Sequence, residues 1–276
     1  MPAPQELNPK QNSEDALVPN SRTNRERIVG VIPARYGSSR FEGKVIADIA
    51  GKPMIQWVYE RASQSNTLDE LLVAVDDPRV QSRVEGFGGK TVMTGVHHAS
   101  GTDRIAEVVE KIPADIVVNI QGDQPLIDPT MIDEAVRPMI DNPEIQMSTL
   151  KREIDKEEFD DPGVVKVVVD DQDFALYFSR SLIPYPFHDE QMRVYEHVGL
   201  YVYRKEFLLE LSKMPQGYLE KIESLEQLRV LEAGHRILVV ETKMDPRTGV
   251  SVDTPEDIKK VERLITEMKG REDGCQ

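Results

Sequence analysis

The sequence predicts an α/β fold, a mixed but mostly parallel sheet with helices on both faces. Three observations carry this. Short apolar runs at residues 28–32, 71–75 and 116–120 alternate with stretches of helical period. A polar loop follows each run: 33–44, then Asp76-Asp77-Pro78, then Gln121-Gly122-Asp123-Gln124-Pro125. Helix punctuation is placed where a β-α-β order needs it, with Pro53 and Pro255 in first-turn positions.

Taken in order, residues 1–26 are rich in Pro, Asn, Ser and charge with no sustained apolar period, and read as a disordered extension. A single domain is expected over 27–270, with a flexible tail at 271–276. Strand 28–32 opens the domain. Met54, Ile55, Val58 and Tyr59 follow Pro53 with helical spacing. Strand 71–75 comes next, then a short strand at 91–93. Ile105, Val108, Val109 and Ile112 share one face of a helix over 102–112, and strand 116–120 completes the first half. A further helix starts near Pro129. The second half is less regular and reads as substrate-side insertions. Residues 164–169, 175–178 and 198–203 look like strands, the last alternating as an antiparallel strand does. Residues 225–231 read as helix, 237–240 as strand and 255–268 as the closing helix.

Composition excludes several classes. Hydrophobic content of 39% and charged content of 30% are those of a globular protein, and no apolar run approaches the ~18 residues of a membrane span. A single cysteine, Cys275, rules out a disulfide framework within the chain. No apolar secretory signal leads the sequence, so a cytoplasmic location is expected. The net charge of −15 argues against a general nucleic-acid binder. A nucleotide would therefore need a local cation cluster and a metal to be attracted at all.

Such a cluster exists. Pro33 to Lys44 carries Arg35, Arg40 and Lys44 within ten residues, with Gly37 and Gly43 allowing backbone to approach phosphates. A solvated basic loop is the plain alternative. The spacing is neither a Walker A loop nor a dinucleotide fingerprint. Asp123, directly after a central strand, and Asp253, ahead of the last helix, would suit a divalent cation if they converged. Taken singly, each reads first as a helix cap. Ser100 to Arg104 opens a helix whose N-terminus suits an anion or a base carbonyl, or simply caps itself.

These clusters, in order, resemble the 3-deoxy-manno-octulosonate cytidylyltransferase family (CMP-Kdo synthetases). The motifs are IPARYGSSR (32–40), GKPMI (51–55), SGTDR (100–104), VNIQGDQP (118–125), ALYFSRSLIPY (175–185), HVGLYVYR (197–204), LEQLR (225–229) and VDTPED (252–257). The resemblance implies a Rossmann-like nucleotidyltransferase fold. It implies attack of a sugar-acid hydroxyl on the α-phosphorus of CTP, release of pyrophosphate, and lipopolysaccharide synthesis as the destination. By the same implication Ala34, Arg35, Ser38, Arg40, Lys44, Arg104 and Asp123 bind the nucleotide. Lys44, Arg35, Arg40 and Asp123 are catalytic, and Asp123 and Asp253 hold Mg²⁺. Gln121, Arg180, Tyr185, His197, Glu226 and Gln227 face the sugar, with Arg180 and His197 suited to its carboxylate. A homodimer through residues 180–203 is implied as well.

Three departures stand out. The usual Pro-Gly-Lys-Pro is Glu42-Gly43-Lys44-Val45, which predicts a looser loop and weaker CTP binding. The usual Gly-Asp-Glu-Pro is Gly-Asp-Gln-Pro, resembling the branch that activates the 8-amino analogue of the sugar. Extra residues over 248–252 would shift Asp253 slightly. A metal-dependent glycosyltransferase and a non-catalytic nucleotide-binding relative are the readings from other classes.

Overall fold

The computed structural model describes residues 25–37, 41–188 and 192–272, with side chains through Met268. Strand β1 (Ile28–Ala34) shows why the sheet forms. Ile28 and Ile32 point to one apolar layer while Val29 and Val31 point to the other, the alternation a doubly covered strand requires. A two-residue pair, β2 (Asp48–Ile49) and β3 (Lys52–Pro53), then leads into helix α1 (Met54–Ala62). Strand β4 (Glu70–Val75), helix α2 (Pro78–Gly86), strand β5 (Thr91–Met93), helix α3 (Gly101–Glu110) and strand β6 (Ile116–Asn119) complete the first half. The second half holds helix α4 (Pro129–Asp141), strands β7 (Met147–Glu153), β8 (Lys166–Val169), β9 (Ala175–Ser179) and β10 (Tyr195–Arg204), and short helices α5 (Lys205–Leu211), α6 (Tyr218–Glu223) and α7 (Leu228–Glu232). Strand β11 (Leu238–Glu241) and helix α8 (Pro255–Glu272) close it, the helix running past the tail boundary expected at residue 270.

The main sheet runs β11-β7-β10-β6-β1-β4-β5, with β8 paired to β10 and β9 to β8. β1 is parallel to both β4 and β6, β4 is parallel to β5 and β11 to β7, while β10 is antiparallel to its neighbours. The chain steps outward from β1 to β4 and β5, then returns through α3 to β6 on the other side of β1, from which it continues away toward β7. The loops at the carboxyl ends of β1 and β6 therefore diverge and leave a crevice, where ligands of open α/β sheets bind. One apolar layer gathers α1, α2, α4 and α8; the other gathers α3, α5 and α7 with β9.

The strands and helices expected in the first half are present within a few residues, and 198–203 lies inside an antiparallel strand as expected. Strand β7 is an element the apolar pattern does not announce. Both of its faces are covered, and Ser148 on one side and Thr149 and Lys151 on the other are buried, so polar residues interrupt the apolar pattern on each face. Each is satisfied: Ser148 Oγ donates to Ala135 O at 2.6 Å, and Lys151 Nζ reaches Asp173 at 2.5 Å. The stretch 225–231 is helical only from Leu228; residues before it turn.

Candidate active site

The loop after β1 closes on itself. Gly43 adopts a left-handed conformation (φ 69°) and donates its N–H to Tyr36 O at 2.9 Å. A side chain there would be strained, so glycine is what lets the chain turn back. Lys44 to Ile46 form a 3₁₀ turn, and Val45 is buried against α1 and α2. Asp76, at the end of β4, accepts the Tyr36 N–H at 3.0 Å and the Arg104 guanidinium at 2.9 Å. Arg104, 3% exposed, also donates to Thr94 Oγ1 and Gly95 O. It stands in the wall of the crevice, with its charge matched by Asp76. Expected nucleotide residues Ser38 and Arg40 lie outside the described residues. Ala34 is the buried last residue of β1, and Arg35 is exposed at the crevice mouth.

Opposite this loop, Gly122 follows β6. A Cβ on it would stand 2.9 Å from Pro33 O, so glycine is what lets the turn after β6 pack against the end of strand β1 before the loops part. Asp123 does not cap α4: Asp128 does, accepting Thr130 N–H at 2.9 Å. The start of α8 is held by Asp257, which accepts the N–H groups of Asp253 and Thr254 at 3.0 and 2.8 Å. The α4 cap is thus supplied by Asp128, and Asp123 and Asp253 turn toward one point. Lys44 Nζ sits 2.9 Å from Asp123 Oδ2 and 3.1 Å from Asp253 Oδ1. The Val252 N–H donates to Asp123 O at 2.8 Å, tying the two segments together, and residues 246–249 coil into a 3₁₀ turn just ahead of them. Two carboxylates aimed at one cation are a donor set that fits Mg²⁺. Among the described residues no three His, Cys, Asp or Glu side chains form a fuller cage, so any such metal would take its remaining ligands from water and phosphate.

A cavity of about 270 Å³ holds this cluster, walled by Arg35, Lys44 and Arg104 against Asp123 and Asp253, with Ser100 and Gly101 at the start of α3. Ser100 and Asp103 form a reciprocal capping box there. Gly101 and Gln121 also wall a second cavity of about 170 Å³, completed by Asn119, Tyr201, Tyr203, Glu226 and Gln227. Thr102, whose side chain bonds Glu226 and Tyr203, joins that wall. Burial pushes the Glu226 carboxyl up from its usual range. Burial also holds the Tyr201 and Tyr203 phenols well above their ordinary values, so both stay protonated at neutral pH. Of the sugar residues expected from the sequence, Gln121, Glu226 and Gln227 meet in this cavity. Tyr201 and Tyr203 were signalled only by alternation in 198–203, and Asn119 only by its place at a strand end.

The other three expected sugar residues are placed differently. Arg180 donates from Nε to Glu223 O at 2.8 Å and from Nη1 to Pro162 O at 2.9 Å, bracing a corner away from both cavities. Tyr185 is 82% exposed and walls neither. His197 is buried behind Gln227, edge-on to Phe178, and burial depresses its pKa to about 3. It is a neutral ring in this fold and walls neither cavity, so it does not meet the expected sugar carboxylate directly. Glu42 falls outside the charged cavity, on the side of Arg79, which pairs with Asp77 and stacks 3.5 Å over Tyr36. Gln124 walls neither cavity.

A family model described as cytidylyltransferase matches residues 29–237. The 3-deoxy-manno-octulosonate cytidylyltransferase of Geobacter sulfurreducens is 51% identical over 246 residues, 85% of this chain and 97% of the relative. The protein belongs to this family. The like-named protein of Solibacter usitatus is 51% identical over 241 residues, covering 87% of this chain and 94% of the relative. A solved CMP:2-keto-3-deoxy-manno-octonic acid synthetase complexed with CTP aligns with TM-score 0.84 and 48% identity, over 88% of this chain and all of that one. A cytidylyltransferase from Leptospira borgpetersenii, 16% identical with TM-score 0.60 over 88% of this chain and 87% of that one, shares the fold. Membership makes the chain a nucleotidyltransferase and sets aside the glycosyltransferase and non-catalytic readings.

Proposed function

We propose that the protein joins 3-deoxy-manno-octulosonate to CMP, using CTP and releasing pyrophosphate. The observation that carries this reading is the pair of adjoining cavities sharing Gly101 and Gln121, one lined by several opposite charges and the other by hydrogen-bonding side chains, Glu226 its one carboxyl, with Met147, Leu211 and Val230. A triphosphate suits the first, and a polyhydroxylated sugar acid suits the second. In the reaction the anomeric oxygen forms a bond to the α-phosphorus, the bond to the β-phosphate oxygen breaks, and the hydroxyl proton is lost. Lys44 and Arg35 would bind phosphate oxygens and stabilise charge on the transferring group. Gln121, at the shared wall, would orient the sugar toward it. Asp123 and Asp253 would hold Mg²⁺, which supplies positive charge to the reacting phosphates when bound.

The exposed apolar side chains Leu176, Tyr185, Phe187, Tyr218 and Ile222 support a homodimer that buries them. The product would feed lipopolysaccharide assembly from the cytoplasm. The test is pyrophosphate release from CTP and Mg²⁺ with the sugar acid, with its 8-amino analogue in parallel, and with no sugar. Release dependent on 3-deoxy-manno-octulosonate is expected. Preference for the amino sugar by tenfold or more in kcat/KM (about 1.4 kcal/mol) would move the assignment to that substrate, and silence with both would overturn the reading.

A further inference from the structure

The floor of the second cavity is a chain of hydrogen bonds with one direction. Tyr201 Oη lies 3.2 Å from Gln227 Oε1, and only the phenol can donate. Gln227 Nε2 lies 3.4 Å from His197 Nδ1, and only the amide can donate to that neutral ring nitrogen. His197 Nε2 must then carry the ring proton, and it donates to Thr149 Oγ1 at 2.9 Å. The Thr149 hydroxyl, its lone pair now engaged, donates to Leu200 O at 2.8 Å. That carbonyl is available because β10 bulges. Its register against β7 shifts between Val198, opposite Leu150, and Tyr201, opposite Thr149. The chain therefore ends on a backbone acceptor that cannot reverse.

We infer that Thr149, seated in the β10 bulge, is a positioning residue that fixes the donor and acceptor polarity of the sugar cavity through His197. With the direction fixed, Gln227 spends one amide hydrogen on His197 and presents the other to the cavity as a donor. Tyr201 spends its proton on Gln227 and offers the cavity only acceptor lone pairs. Reversal of the imidazole tautomer would invert both. A buried site built this way rejects ligands whose hydroxyls and carboxylate are arranged for the opposite pattern, since each mismatch leaves a buried group unpaired. Three sequence-distant segments are needed, and Thr149 never touches the ligand.

This inference rests on the sugar-acid reading of the second cavity, but its first test does not. In the full chain, ¹⁵N shifts of the His197 ring at pH 7 are expected to show a single neutral tautomer protonated at Nε2. A charged ring, or one protonated at Nδ1, would overturn the inference, and this spectrum decides it whether or not any variant folds. In Thr149→Val, the Nε2 tautomer should give way to a mixture. The KM for the sugar acid should rise about fivefold to tenfold, the worth of one hydrogen bond, with kcat and the KM for CTP within about threefold. Thr149→Ser, which keeps the hydroxyl, should restore both readouts. Equal loss in kcat and in both KM values, or no rescue by Ser, would mean that Thr149 serves packing alone. Absence of turnover with any sugar would sink the functional reading while leaving the tautomer result standing.

Discussion

The two cavities are neighbours built on opposite principles. In the first, charges meet across loops: Lys44 from the β1 loop lies between Asp123 from the β6 loop and Asp253 ahead of α8, each partly exposed. In the second, neutral groups on β10 and the turn before α7 are buried and satisfied one after another, with His197 stripped of its charge by burial. Charge paired at a water-accessible crevice can exchange partners when a charged ligand arrives. A buried neutral chain cannot exchange partners cheaply, so it is suited to selecting a shape and a hydrogen-bond pattern. Under the proposed function, binding strength toward phosphate and discrimination toward sugar would reside in separate parts of one crevice.

The sharpest way to break this comparison is Lys44→Met. It removes the cation that two carboxylates share and that, in the proposed function, would also meet the incoming phosphates. The kcat/KM for CTP should fall by roughly 10²–10³-fold, the scale of losing one preorganised charge stabiliser. Steady-state pyrophosphate release checks this, and a loss under tenfold would mean that the first cavity does not act through Lys44. The second test probes burial. His197 has a folded pKa near 3 against an ordinary 6.5. Between those values the unfolded chain binds the extra proton, so this group's contribution to stability is complete above pH 6.5 and is lost as pH falls toward 3. The slope should be about 1.4 kcal/mol per pH unit. Urea unfolding at pH 7, 6 and 5 should show a steeper decline in the parent protein than in His197→Gln; parallel declines would place the ring in contact with water. The smallest expected effect is Glu42→Gln. Because Glu42 sits toward Arg79 and away from the charged cavity, the KM for CTP should change by less than about threefold, as for other solvent-screened charges. A larger improvement would restore the expectation that this departure weakens nucleotide binding.

Much of the first half was legible because its signals are local. Apolar runs, helix punctuation and a loop dense in cations all lie within a few residues of one another, and the loops follow strands as the fold requires. The aspartates were legible only as candidates, since each sits where a helix cap belongs. Asp128 supplies the α4 cap, and Asp257 holds the backbone of Asp253 and Thr254, which sequence spacing does not reveal. Arg180 and Tyr185 were placed at the sugar by resemblance, yet the corner after β9 turns one toward backbone carbonyls and the other to solvent. Strand β7 was missed because the polar side chains it buries find partners far along the chain.

The sequence by itself determined the order of strands and helices in the nucleotide half, the family, and the residue types available for phosphate and metal. Those properties follow from local periodicity and from motifs whose spacing is short. Only the tertiary structure decided that Lys44 joins two aspartates 79 and 209 residues away, and that His197 is neutral. Convergence and burial are products of packing: a side chain's charge and partners depend on which distant segments exclude water from it, and no local pattern encodes that.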